Sequence, residues 1–347
     1  MRKLKTVVLV LAALLSVACE KVDDEEENGM AQNETETPTE SNTPDQDKPD
    51  DPQEPQPGSN PQNPAEEGMG FVLAEIFCAG TPTPQGTYYD ADKYFVVYNN
   101  TDHVLYADSL CIAESEFVTV MKVDYVPNIT NDYLAVSAIY MIPGSGKDYP
   151  VEPGGRLLIV ANAINHNIHN PNSWDFQTAD FEWYDISDIP QYVDSDNPQV
   201  PNLVRYYAKT NTFYSPNSLG TTAFALVRMP VGRAKFLTDY YYEYSYRLTT
   251  SSGNKKMVSD CYKVPNSWVV DAVNCSIFQN MQWLVTTPTL DSGYAYISIS
   301  ANDTSRYGKA MRRKLDRVDG TRIILKDTNN STNDFESRVT ADPFFVF

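Results

Sequence analysis

From residue 69 onward, apolar residues recur at every second position in short runs, and each run stops at a cluster of Gly, Pro, Asn or Asp. Successive side chains point to opposite faces of a strand, so this period belongs to β-structure. Residues 71–78, 93–98, 116–125 and 156–161 read as strands, as do 223–228, 267–271, 295–300 and 321–326. Each is rich in β-branched or aromatic residues and is bounded by turn formers. Helical periodicity is nearly absent, and residues 277–284 are the one segment that fits a short helix. Many short strands with frequent turns predict an all-β, antiparallel sandwich or barrel over residues 69–347.

Residues 163–218 break that rhythm. They are rich in Asn, Asp, Pro and Tyr and show little alternation. A structureless loop of that length is uncommon inside a compact domain. The segment therefore reads as a loop-rich insertion wrapped on the sandwich and held by its aromatics, Trp174, Phe176, Phe181, Trp183 and Tyr184.

The N-terminal region has a different character. Residues 1–18 combine the basic residues Arg2, Lys3 and Lys5, an apolar stretch from Thr6 to Leu15, and the compact residues Ser16, Val17 and Ala18 before Cys19. This is the layout of a signal peptide. The apolar stretch is shorter than the roughly 20 residues that a spanning helix needs. Leu15-Ser-Val-Ala-Cys19 resembles the lipobox of bacterial lipoproteins, with Ser16 where leucine is commonest. That resemblance implies lipidation at Cys19. The acidic run of residues 20–27 looks like the export signal of Bacteroidetes surface lipoproteins. It implies an outer-membrane, lipid-anchored protein facing outward. Residues 19–68 follow as a linker rich in Pro, Asn, Thr, Gln and Glu, too poor in apolar groups to offset the entropy of folding. Its expected reach lies between roughly 40 Å as a coil and about 160 Å when extended.

The net charge is −19; residues 1–18 carry +3 and residues 20–68, with 16 acidic and 2 basic residues, carry −14, which leaves −8 for residues 69–347. Most of the acidity thus belongs to the linker. A chain of this sign repels nucleic acid, so no nucleic-acid partner is expected.

A series of short motifs carries a family likeness. In order they are Ala74-Glu-Ile-Phe77, Tyr98-Asn-Asn-Thr101, Val151-Glu-Pro-Gly-Gly155 and Trp268-Val-Val-Asp-Ala272. The series resembles that of the lamin-tail domain, an immunoglobulin-like sandwich, with Lys93 and Phe95 where acidic residues are usual. The resemblance implies an immunoglobulin-like (lamin-tail-like) β-sandwich. Ile142-Pro-Gly-Ser-Gly-Lys147, Ala163-Ile-Asn-His166 and Asp327-Thr-Asn-Asn-Ser-Thr-Asn-Asp-Phe335 look like a Bacteroidetes surface lipoprotein family of uncharacterised function. That likeness implies a fold and a compartment, with no catalytic residue to transfer.

Several residue sets could carry chemistry. Tyr240, Tyr242, Tyr244 and Tyr246 would share one face of a strand, where they could stack a ligand such as a sugar or pack internally. Trp174 and Trp183 in the insertion are the accompanying ligand-binding candidates. His166 and His169 are the candidate metal ligands, although a metal site needs three or four and the chain has 3 histidines in all. The acidic insertion, with Asp180, Glu182, Asp185, Asp188, Asp194 and Asp196, is compatible with a structural calcium. No other cofactor is expected. Export favours disulfides. Among Cys78, Cys111, Cys261 and Cys275, the spacing of Cys261 and Cys275 across a Pro-Asn turn suits a hairpin pair, while four cysteines allow three pairings. Gly144-Ser-Gly-Lys147 lacks both the first glycine and the hydroxyl residue of a phosphate loop, so it reads as a turn. There is no nucleophile elbow.

These features point to a non-enzymatic, cell-surface lipoprotein that binds a glycan, protein or nutrient. The alternatives are an accessory of an outer-membrane (TonB-dependent) transporter in metal or haem uptake, which would use His166 and His169, and a hydrolase using carboxylates of the insertion.

Overall fold

The computed structural model describes residues 70–250 and 253–345. The signal peptide, Cys19 and the linker lie outside the described residues. No described helix is long and apolar enough to cross a membrane.

Two sheets face each other. The six-stranded sheet runs, in spatial order, Phe181–Glu182, Arg156–Val160, Tyr94–Asn99, Phe71–Phe77, Lys309–Arg313, Phe335–Thr340. The eight-stranded sheet runs Tyr241–Thr250, Gly253–Pro265, Tyr133–Met141, Leu110–Val118, Thr222–Arg228, Val269–Ile277, Ala295–Ser298, with Val204–Ala208 also pairing with Tyr133–Met141. The inner faces close on Phe71, Leu73, Phe95, Ile112, Tyr140, Phe224, Val273 and Met311. The chain is an all-β sandwich. Pairing is antiparallel except at one edge of each sheet, where Phe181–Glu182 runs parallel to Arg156–Val160 and Ala295–Ser298 parallel to Val269–Ile277. Parallel neighbours need a long crossover. Residues 161–180 and 278–294 supply those crossovers.

The central strands are buried on both faces. Phe71–Phe77 and Thr222–Arg228 are buried at every position. The outer face of the six-stranded sheet is covered by Phe176, Val200, Leu325 and Phe345. That of the eight-stranded sheet is covered by Phe236 and Trp268. Double burial is why these strands read as nearly continuous apolar runs. The insertion is a partner in both sheets, since it contributes Phe181–Glu182 to one and Val204–Ala208 to the other. Residues 277–284 form no helix. A helix instead spans Arg233–Asp239 and buries Phe236 against the outer face.

The motif residues have identifiable jobs. Pairing of Phe71–Phe77 with Tyr94–Asn99 is irregular between Leu73 and Glu75, and pairing with Lys309–Arg313 begins only at Glu75. The Leu73 amide donates to Asp271 Oδ2 at 2.7 Å, and its carbonyl accepts from Arg313 Nε at 2.9 Å. The Arg313 guanidinium also donates to Asp271 at 2.6 Å and to Asp327 at 3.1 Å. Two side chains thus satisfy the backbone where no strand does. Glu75 is held by Tyr94 Oη, Arg312 and the Asp342 amide. Asn99 donates to the carbonyls of His103 and Val151.

Candidate functional site

A cavity of about 340 Å³ opens at one end of the eight-stranded sheet. Its size falls within the range of small-molecule sites. It forms where two irregular segments meet. Strand Leu110–Val118 ends at Thr119, whose hydroxyl donates to the carbonyls of Thr221 and Cys275. Beyond it, residues 121–131 leave the sheet and form one wall. Residues 282–288 form the other. The Thr119 carbonyl accepts from the Gln282 and Trp283 amides, and the Lys122 amide donates to Gln282 Oε1. The indole of Trp283 donates to the carbonyls of Val118 and Met121, at 2.9 and 3.1 Å. Both walls are therefore tied to each other and to the strand end.

Tyr125 and Trp283 form an aromatic surface inside the cavity. Tyr125 stacks on Phe117 at a centroid distance of 3.7 Å and lies 5.8 Å from Trp283. Burial raises the Tyr125 phenol above its ordinary range, so it stays neutral. Lys122, Asp124, Asn128, Thr130 and Asn131 line the same cavity. Among the described residues, the Lys122 ammonium, the Asp124 carboxylate and the Asn131 side-chain amide have no hydrogen-bond partner. Apolar ring surface beside unengaged hydroxyl, amide and charged groups suits a ligand with both C–H faces and hydroxyl edges.

The predicted tyrosine stripe exists, but it supports the site from below. Tyr242 and Tyr244 are only 3% and 6% exposed. They pack with Phe117, and Tyr244 and Tyr246 reach Tyr125 at 5.4 and 5.6 Å. Tyr242 Oη donates to the Pro127 carbonyl, and Tyr244 Oη to Glu116. Tyr240 leaves the stripe and packs with Phe236 and Trp268. Trp183 is buried between the sheets, and Trp174 packs over Phe77 and Tyr94. Tyr242, Tyr244 and Trp183 are thus closed to a ligand, while Tyr240, Tyr246 and Trp174 are half-buried.

His166 is fully buried. Its Nδ1 meets Tyr89 Oη at 2.7 Å and its Nε2 meets the Asn162 carbonyl at 2.9 Å. Burial also lowers its pKa. With both ring nitrogens engaged, it is a core histidine and not an open ligand, while His169 is exposed nearby. Among the described residues, no group of three or more His, Cys, Asp or Glu is placed to hold a metal. Several of the insertion's carboxylates accept from backbone amides. Asp180 accepts from the Leu158 amide, Glu182 from the Ala163 and Asn197 amides, and Asp185 from Tyr140 Oη and the Tyr214 amide.

The Cys261–Cys275 pair expected from spacing does not form. All four described cysteines are free and buried. Cys261 and Cys275 lie on strands that do not pair with each other, so they do not face across a hairpin. Residues 266–268 carry the chain across the sheet instead of turning a hairpin. The exposed glycine loop at 144–147 closes on a side chain of the chain itself. Asp108 accepts from the amides of Gly146, Asp148 and Tyr149. The loop's amides thus enclose a carboxylate of the chain itself.

Comparison with known proteins agrees with this architecture. The family described as "Protein of unknown function (DUF4876)" matches residues 152–342, which include the Trp283 wall of the cavity but not the Tyr125 wall. A crystal structure of a DUF4876 family protein from Bacteroides thetaiotaomicron is 23% identical, covering 79% of this chain and 72% of that one, with a TM-score of 0.63. No curated protein matches the chain. The match over residues 152–342, more than half of the sequence, makes the chain a member of the DUF4876 family.

Proposed function

We propose that this chain is a non-enzymatic binding module whose groove over Tyr125 and Trp283 takes a glycan, and that a lipid on Cys19 tethers it to the outer face of the outer membrane. The observation that carries the binding reading is the half-buried aromatic floor with an unengaged polar rim. The ring pair offers faces for sugar C–H groups, and Lys122, Asp124 and Asn131 offer partners for hydroxyls. A non-catalytic role is supported by the use of several of the insertion's carboxylates as acceptors for backbone amides and by the burial of every described thiol. The lamin-tail-like reading of the sandwich and the surface address belong to the same proposal. Both rest on sequence motifs.

A glycan array probed with the full chain tests the binding reading. Defined oligosaccharides are expected to be retained by the native chain and lost by Trp283→Ala. Retention unchanged by that substitution would move the site elsewhere. For the tether, labelling with a radioactive fatty acid should mark the native chain and not Cys19→Ala.

A further inference from the structure

The eight-stranded sheet runs out into a two-stranded ribbon. Gly253–Pro265 pairs with Tyr133–Met141 only through residues 262–265, whereas its pairing with Tyr241–Thr250 continues from Tyr241 opposite Tyr262 to Thr250 opposite Gly253. Alternation sorts the ribbon into two faces. The inner face carries Tyr242, Tyr244 and Tyr246. The outer face presents three rungs in succession: Glu243 opposite Asp260, Ser245 opposite Val258, and Arg247 opposite Lys256.

Both charged rungs set like charges directly across from each other, an arrangement that destabilises an isolated sheet. All four charged residues are exposed, and Val258 between them is 40% exposed. Among the described residues, none of the four side chains enters an ion pair. The ribbon therefore leaves an acidic and a basic pair unneutralised, on either side of an apolar centre. Neighbouring rungs on one face lie roughly 7 Å apart along the strand.

We propose that this face is the contact for a second copy of the same chain. A two-fold axis running across the strands through the Ser245–Val258 rung sets Glu243 and Asp260 of one copy against Arg247 and Lys256 of the other, twice over. Val258 meets its counterpart at the centre. A self-complementary patch of this kind is what an isologous dimer requires. A polyanion or an anionic membrane would attract one rung and be repelled by the other, so the pattern favours a second copy. The patch is smaller than a standard stable interface, so the pairing is weak and salt-sensitive. Ser245 is also bridged to Val126, the neighbour of Tyr125, so each copy's groove lies beside the contact. This inference is independent of what the groove binds.

Sedimentation of the full chain in detergent, up to about 500 μM, tests it. The native chain is expected to self-associate, at least tenfold more weakly in 0.5 M than in 0.05 M salt. Glu243→Lys with Asp260→Lys makes an all-basic face, and Arg247→Glu with Lys256→Glu an all-acidic one. Each variant alone should be monomeric, and an equimolar mixture should associate at least tenfold more tightly than either. Val258→Arg, which leaves the charged rungs intact, should abolish pairing through charge repulsion at the axis. Circular dichroism matching the native chain verifies folding of each variant. A native chain that stays monomeric, association insensitive to salt, or a mixture no tighter than its components would overturn the proposal.

Discussion

Replacing Asp271 with alanine removes the one carboxylate that faces both the Leu73 amide and the Arg313 guanidinium. The Asp271 and Arg313 side chains are 3% and 2% exposed. Without Asp271, Leu73 loses its hydrogen bond, and Arg313 keeps only Asp327, the Lys326 and Leu73 carbonyls and the face of Phe335. Removing one member of a buried ion pair costs about 3–5 kcal/mol, because the other charge stays buried. In a domain of this size each kcal/mol lowers Tm by roughly 2–4 °C, so Asp271→Ala should melt about 10 °C below the native chain. Urea titration followed by tryptophan fluorescence, with calorimetry, measures both quantities. Asp271→Leu combined with Arg313→Met removes both charges and should recover most of the loss. A single substitution that costs less than about 1 kcal/mol would refute the idea that this pair closes the gap in the six-stranded sheet.

Further outcomes are expected elsewhere. Tyr244→Ala opens a cavity under Phe117 and Tyr125 and should cost about 3–5 kcal/mol of stability by chemical denaturation, with weaker ligand capture because Tyr125 loses its seat. Gly144 has φ +128°, and a Cβ there would lie 2.1 Å from Asp108 Oδ1. Gly144→Ala should therefore lose about 1–3 kcal/mol through strain, and a native-like urea midpoint would contradict the turn's role. Burial raises Asp194 to about 6, with the nearby charges of Asp185 and Asp196 adding to the rise and hydrogen bonds from the Asp185 and Ser195 amides opposing it. A carboxyl with a raised folded pKa binds its proton more tightly when folded, so its contribution is full below about pH 4 and is lost as pH rises through about 6. Urea midpoints measured against pH should fall across that window, and Asp194→Asn should flatten the fall.

Much of the fold was legible because strand signals are local. Residues 71–78, 93–98, 156–161 and 223–228 coincide with strands, since turn residues bound them as the sheet demands. The misreadings share a physical cause. Residues 116–125 alternate, yet the strand spans Leu110–Val118 and the later alternation serves Tyr125, which turns back onto Phe117. The insertion's two short strands carry too few residues for a period to show. Of the aromatics expected to hold the insertion, Trp183 is buried between the sheets and Trp174 packs half-buried over Phe77 and Tyr94. Tyr242, Tyr244 and Tyr246 share one face of a strand and Tyr240 lies outside it, but alternation cannot say whether that face meets solvent or another layer. The groove escaped sequence reasoning because Tyr125 and Trp283 are brought together only by long-range packing at the end of Leu110–Val118. A lone aromatic, Tyr125, in the mixed polar and aliphatic segment of residues 122–131 was the one local signal.

Calorimetric titration of an array-selected oligosaccharide into the full chain, with Trp283→Ala and Tyr192→Ala compared, tests the central claim most directly. Tyr192 is 47% exposed and does not line the groove. Trp283→Ala is expected to weaken binding by about tenfold or more, equivalent to roughly 1.4 kcal/mol, while Tyr192→Ala binds as the native chain does. Equal affinity for Trp283→Ala and the native chain would contradict that claim.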